Sequence, residues 1–250
     1  MNDISKKWRA FTLIELLVVV AVIGILITLL MPVVRRSLDR ARLAGCVSNI
    51  RQITAATLMY AGDHKGGLPH PCWGQWAKLK KLENGWLYSG DFTSRGAYFD
   101  NQTNVMSGVL WPYIEDPNVY RCPSDPTPDT ATLVGYPDNV QLLSTYGMNG
   151  SLTRYKVVQR AKNVCRISQF QPTDIIIWEQ EYRTWVPGDF WDAANSPNQG
   201  LSDRHYDKGG VGCIDGHVYI ITREEYNKLA RQPSRRRNRL WNNPYTANGH

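Results

Sequence analysis

The chain has 250 residues, of which 42% are apolar, and its 29 basic against 22 acidic side chains give a formal net charge of +7. That length suits one ordinary domain plus an extra element and excludes several large domains. The 20 Gly, 14 Pro, 9 Trp and 13 Tyr predict a turn-rich, aromatic-rich domain with more β than α structure, and no Gly-rich loop matches a P-loop or dinucleotide fingerprint.

The first ten residues carry Lys6, Lys7 and Arg9 against Asp3. Residues 11–31 then form an apolar run interrupted by a single charge, Glu15. At ~1.5 Å per residue a helix of this length spans about 31 Å, the thickness of a hydrocarbon core. A secretory signal peptide has a shorter apolar region and a small-residue cleavage site after it, and Leu29-Leu30-Met31-Pro32 offers none. A plain anchor accounts for the length but not for the acid. A carboxylate within an apolar helix costs several kcal/mol unless a cation or polar site meets it. Cleavage between Ala10 and Phe11 would supply that cation, because the new amine of Phe11 lies at the level of Glu15.

Ala10-Phe11-Thr12-Leu13-Ile14-Glu15, preceded by a short basic leader, resembles the cleavage and methylation motif of type IV prepilins and type II secretion pseudopilins. Ala10 stands where that family has Gly. The resemblance implies removal of residues 1–10 by a prepilin peptidase, N-methylation of Phe11, and a role for Glu15 in recruiting the subunit to a filament. Pro32 falls where pilin helices often carry a proline, and a proline there removes a backbone donor and can kink the helix.

Beyond the membrane run, residues 32–62 read as an amphipathic continuation of the same helix. Leu43, Val47, Ile50, Ile53, Thr57 and Tyr60 make a stripe with three- to four-residue spacing. Gly62 and Gly66-Gly67-Leu68-Pro69 close it. Residues 63–230 read as a β-rich globular domain. Its clearest strand is the β-branched stretch within 173–181. Residues 203–222 read as two or three strands, with Lys208-Gly209-Gly210 and Asp215-Gly216 as turns. Residues 231–250, with Arg231, Arg235, Arg236, Arg237 and Arg239, read as a basic, flexible tail. The cysteines Cys46, Cys72, Cys122, Cys165 and Cys213 form no CxxC and fit no zinc spacing; in an exported domain they are disulfide candidates.

His205, nine intervening residues, then Asp215-Gly216-His217-Val218 resembles the C-terminal H-X9-DG signature of a group of bacterial prepilin-like proteins abundant in planctomycetes and verrucomicrobia. Cys46 with Asn49 and Gln52, the run from Tyr120 to Asp125, and the run from Ser144 to Asn149 fit the same group. Asp203, His205, Asp207, Asp215 and His217 crowd this segment. They offer a candidate site for calcium or another divalent metal. The competing reading is turn chemistry, with Asp215 accepting backbone N–H bonds. The first reading makes calcium or another divalent metal the cofactor, and the second requires none.

Enzymatic readings find little support. Ser202, His205 and Asp215 lack a nucleophile elbow, and Cys122 lies far in sequence from His205. Exposed Trp faces offer a carbohydrate-binding surface, although Trp in a small exported domain mostly serves the core. A nucleic-acid role for the arginine tail is not expected.

The expected fold is α+β: a long N-terminal helix, its first half transmembrane, packed on an antiparallel sheet with loop-rich insertions. The expected protein is not an enzyme but a prepilin-like filament subunit in the bacterial inner membrane, its C-terminal domain periplasmic, or extracellular after assembly. Its partners would be other pilin subunits, a prepilin peptidase, the inner-membrane assembly platform and the lipid bilayer. The rival reading is a membrane-tethered module that binds carbohydrate or another envelope polymer without assembling.

Overall fold

The computed structural model describes residues 12–72, 85–89, 105–125, 143–153, 165–181, 193–231, 236–247 and 249. The chain divides into two compact units, Met1–Ala41 and Arg42–His250. Within the first unit the described residues belong to the leading part of one helix, α1 (Leu13–Asp63). Its large apolar side chains from Leu13 to Leu38 are all exposed. The helix is long and apolar enough to cross a membrane. It runs through Pro32 without interruption. The hydroxyls of Thr28 and Ser37 donate back to the carbonyls of Gly24 and Val33, which satisfies them in an apolar setting.

In the second unit the helical stripe acts as the sequence predicts. Cys46, Ile50, Ile53, Thr54, Ala56, Thr57, Tyr60 and Ala61 are buried. Fully burying a residue such as Ile50 or Ile53 contributes about 1.5–3 kcal/mol. The helix ends where Lys65 (φ 56°) and Gly66 (φ 80°) turn left-handed. The Gly66 N–H then donates to the Ala61 carbonyl at 2.7 Å, closing the last turn.

Five strands form one sheet in the order β3-β1-β2-β4-β5: β1 (Tyr146–Asn149), β2 (Ile175–Glu179), β3 (Ala194–Asn195), β4 (Lys208–Cys213) and β5 (Val218–Thr222). β1–β2, β2–β4 and β4–β5 pair antiparallel, whereas the short β3 pairs parallel to β1. The sheet is therefore mixed where a wholly antiparallel one was expected. A short helix, α2 (Trp111–Ile114), lies outside the sheet, and α3 (Arg223–Ala230) follows β5 behind a Thr222–Glu225 capping box.

Two apolar clusters sandwich the sheet. One holds Ile50, Ile53 and Tyr60 of α1 together with Met148, Ile176 and Ile177. The other holds Ile175, Trp178, Val211 and Ile221 with Tyr226 of α3 and Leu240. The neighbours Ile176 and Ile177 share a cluster because the β2–β4 register shifts between Ile175 and Ile177, as a bulge permits.

Lys208-Gly209-Gly210 is not a turn but the start of β4. Its glycines make room for other residues. A Cβ on Gly210 would stand 2.5 Å from Ile50 Cδ1, and one on Gly212 would strike Thr54 Oγ1 and come within 2.8 Å of Ile177 Cγ2. The helix thus lies directly on a glycine track. Asp215-Gly216 is the expected hairpin turn. Gly216 (φ 95°) closes it, with Gly216 N–H donating to Cys213 O and Cys213 N–H to His217 O, both at 3.0 Å.

The described part of the tail is not a solvated end. Leu240, Asn242 and Asn243 are buried. Arg237 pairs with Asp174 at 2.6 Å, and the Arg239 guanidinium lies 5.5 Å from the Tyr219 ring centroid. Asn149 on β1 donates to the carbonyls of Ile175 and Leu240. Of the basic residues that suggested a flexible tail, Arg237 neutralises a buried acid and Arg239 covers an aromatic ring.

Candidate functional site

At the head of α1, Thr12 and Glu15 form a reciprocal capping box. The Thr12 backbone N–H and hydroxyl both donate to Glu15 Oε2 at 2.8 Å, and the Glu15 N–H donates to Thr12 Oγ1 at 3.2 Å. Sequence reasoning treated Glu15 only as a charge in search of a cation and missed this local role, although T-x-x-E before an apolar run is its signature. Ala10 and Phe11 lie outside the described residues.

The five Asp and His residues of the C-terminal segment do not gather at one point. Asp215 Oδ1 accepts the His217 backbone N–H at 3.1 Å and pairs with the His217 ring at the hairpin turn. His217 stacks on Tyr219 with ring centroids 5.5 Å apart. Asp207 pairs with Arg223 of α3 at 3.0 Å. It follows Tyr206, and both hold positive φ, 52° and 58°; this left-handed pair leads the chain into β4. Asp203 lies in the loop ahead of them. His205 alone turns inward and is buried.

His205 joins residues from three other parts of the chain. Cys46 of α1, Cys122 of the turn after Tyr120, and Glu179 at the end of β2 are all buried with it. One ligating atom from each of the four lies within 4.8 Å of every other. Cys122 Sγ is 3.2 Å from His205 Nε2, and Glu179 Oε1 is 3.4 Å from the same nitrogen. The Tyr146 hydroxyl donates to Cys46 Sγ at 3.3 Å, and the Ser124 N–H points at Cys122 Sγ at 3.3 Å. Asn49, one turn beyond Cys46, donates to the Arg121 carbonyl at 2.8 Å. The Cys122 N–H donates to Thr145 Oγ1 at 2.7 Å. The cysteine, Tyr-to-Asp, Ser-to-Asn and histidine segments that the sequence singled out separately therefore converge here.

The electrostatics of the cluster are mutual. The bond from Cys46 and the His205 imidazole hold the Cys122 thiol down at about 7 against the opposing effect of burial. Burial alone would lower His205, but its contacts with Cys122 and Glu179 raise it to about 9. Burial would raise the Glu179 carboxyl, and the His205 contact outweighs it and keeps the group below the usual carboxylate range. Desolvation drives the Cys46 thiol well up. Charge in this pocket is thus tolerated only as a set.

The geometry is not that of a nucleophilic triad. In a triad the acid holds the imidazole nitrogen opposite the nucleophile. Here Cys122 and Glu179 approach the same nitrogen, so the groups converge on a point. Glu179 is the residue that sequence reasoning missed. Its signal was a lone acid ending the otherwise apolar strand Ile175–Glu179.

The remaining cysteines lie elsewhere. Cys72 Sγ contacts the Tyr88 carbonyl at 3.7 Å, and Cys213 Sγ contacts the Thr173 carbonyl at 3.6 Å, its thiol pushed up to about 12 by burial. All five disulfide candidates stand as buried thiols. Of the tryptophans, Trp86 and Trp178 are fully buried, with their indole N–H groups on the carbonyls of Ala193 and Gly200.

Residues 8–31 match the family model of the prokaryotic N-terminal methylation motif. No curated protein and no solved structure gives a significant match to the chain. The match, with the long apolar helix, supports a type IV pilin-like protein processed at its N-terminus and suggests a structural subunit rather than an enzyme.

Proposed function

We propose that the chain is the precursor of a filament subunit in a type IV pilus or type II secretion-like system. A prepilin peptidase removes residues 1–10, Phe11 becomes the methylated N-terminus, and the leading part of α1 passes from the bilayer into a helical filament core. The C-terminal domain faces the periplasm or the exterior. The H-X9-DG resemblance favours the planctomycete and verrucomicrobial subgroup. The observation that carries the reading is one coincidence. The methylation motif overlaps the membrane-length apolar run at the head of α1, and Glu15 is the lone charge within residues 11–31.

Glu15 has two separable roles. It caps its own helix, and its charge answers the amine of a neighbouring subunit. Gln at the same position retains the capping box and removes the charge, whereas Ala removes both. The test is assembly in cells, read as subunit cross-linking and as sheared filament yield. Wild type assembles, and Glu15→Gln and Glu15→Ala both insert in the membrane without assembling. Normal assembly of the Gln variant contradicts the charge role. Localisation and polymer binding without any assembly, in wild type and variants alike, favours the tethered module.

A further inference from the structure

We propose that Cys46, Cys122, Glu179 and His205 hold one divalent ion of the zinc class, which fastens α1 to the sheet. None of the four lies within residues 8–31, so the proposal stands apart from the filament reading.

Three observations carry it. The first is spacing. Around tetrahedral zinc, with Zn–S ~2.3 Å and Zn–N or Zn–O ~2.0–2.2 Å, neighbouring donor atoms lie about 3.3–3.8 Å apart. The Cys122–His205 and His205–Glu179 separations are 3.2 and 3.4 Å, and the whole set falls within 4.8 Å. The second is a buried charge with few partners. Glu179 is fully buried; its Oε1 lies 3.4 Å from His205 Nε2, and neither carboxylate oxygen makes a hydrogen bond. Burying a carboxylate so thinly satisfied costs several kcal/mol, and a divalent cation where the four donors converge would meet it directly. The third is the surroundings of the sulfurs. Each has a donor aimed at it, the Tyr146 hydroxyl on Cys46 and the Ser124 N–H on Cys122. Such outer donors support thiolates bound to a metal.

The donor set selects the ion. Two sulfurs, one imidazole nitrogen and one carboxylate suit zinc, whereas calcium takes six to eight oxygens. Four protein ligands in a buried pocket leave no open position, which marks a structural site. The ligands come from α1, the Cys122 turn, the end of β2 and the loop before β4. The ion therefore ties the helix to the sheet at Cys46, the earliest fully buried position on the helix.

The test uses the full chain purified in detergent without chelator, exposed to zinc and then desalted. About one zinc per chain is expected to remain. Cobalt in its place is expected to give thiolate charge-transfer bands and tetrahedral ligand-field bands. Cys46→Ser and Cys122→Ser each weaken the charge-transfer bands, and the Cys165→Ser and Cys213→Ser controls leave them intact. Should the ligand variants fail to fold, the wild-type cobalt spectrum decides alone. Zinc that washes out, cobalt without thiolate bands, or an unchanged spectrum in a folded Cys46→Ser/Cys122→Ser chain overturns the proposal.

Discussion

Cys122 Sγ stands 3.2 Å from His205 Nε2 although 83 residues separate them. The contact is possible because β1 and β2 bring the Thr145–Tyr146 and Glu179 ends of two strands together, with the Tyr146–Glu179 pair in register. The Cys122 turn hangs from Thr145, and the 205 loop enters beside them. The relationship belongs to the sheet and not to any local motif.

The glycine track under α1 makes a signed prediction. Gly212→Ala places a Cβ against Thr54 and Ile177 and is expected to destabilise the protein by about 1–3 kcal/mol. Gly62→Ala meets nothing within 4 Å in the last turn of the helix and is expected to stabilise it by about 0.5–1 kcal/mol. Denaturant midpoints of the two variants against wild type check both signs.

His70 makes the fold sensitive to acid. It is buried, and its Nδ1 accepts the Cys72 N–H at 3.1 Å, so the neutral ring is the native form. Burial depresses it from 6.5 to about 4. A base depressed on folding contributes no penalty above pH 6.5. The unfolded chain takes up the proton first as pH falls, so stability declines from pH 6.5 to about 4 by up to about 3 kcal/mol. His70→Asn keeps an acceptor for the same N–H and does not titrate there. The pH dependence of unfolding is expected to be shallower in this variant by that amount.

The folded-back tail has a direct consequence. Leu240 is fully buried beside Trp178 and Tyr226 in the outer cluster. Leu240→Ala is expected to cost about 2–5 kcal/mol, measured by chemical unfolding, whereas a solvated tail residue would register no change.

The sequence made the long helix legible because membrane length and the three- to four-residue stripe of Ile50, Ile53, Thr57 and Tyr60 both repeat along one element. The Ile175–Glu179 strand was legible from its β-branched run, and the Asp215-Gly216 turn from its left-handed glycine. Gly209 and Gly210 misled, because glycine signals a turn locally but was placed here to admit the side chains of Ile50 and Leu201. The parallel β3–β1 pair was hidden because Ala194–Asn195 is too short to carry a pattern. The cluster was legible in pieces. Cys46, Cys122 and His205 each drew notice, but no spacing links them, and the neighbouring aspartates offered a more local grouping. Arg237 and Arg239 looked like a charge run because their partners, Asp174 and Tyr219, are remote in sequence.

The central claim is that the motif at the head of α1 is processed and that the resulting subunit assembles through it. The mass of the native protein's N-terminal peptide tests this most directly. The account predicts a peptide that begins at Phe11 and carries one added methyl group. A peptide that still begins at Met1, in cells whose prepilin peptidase is active, contradicts it.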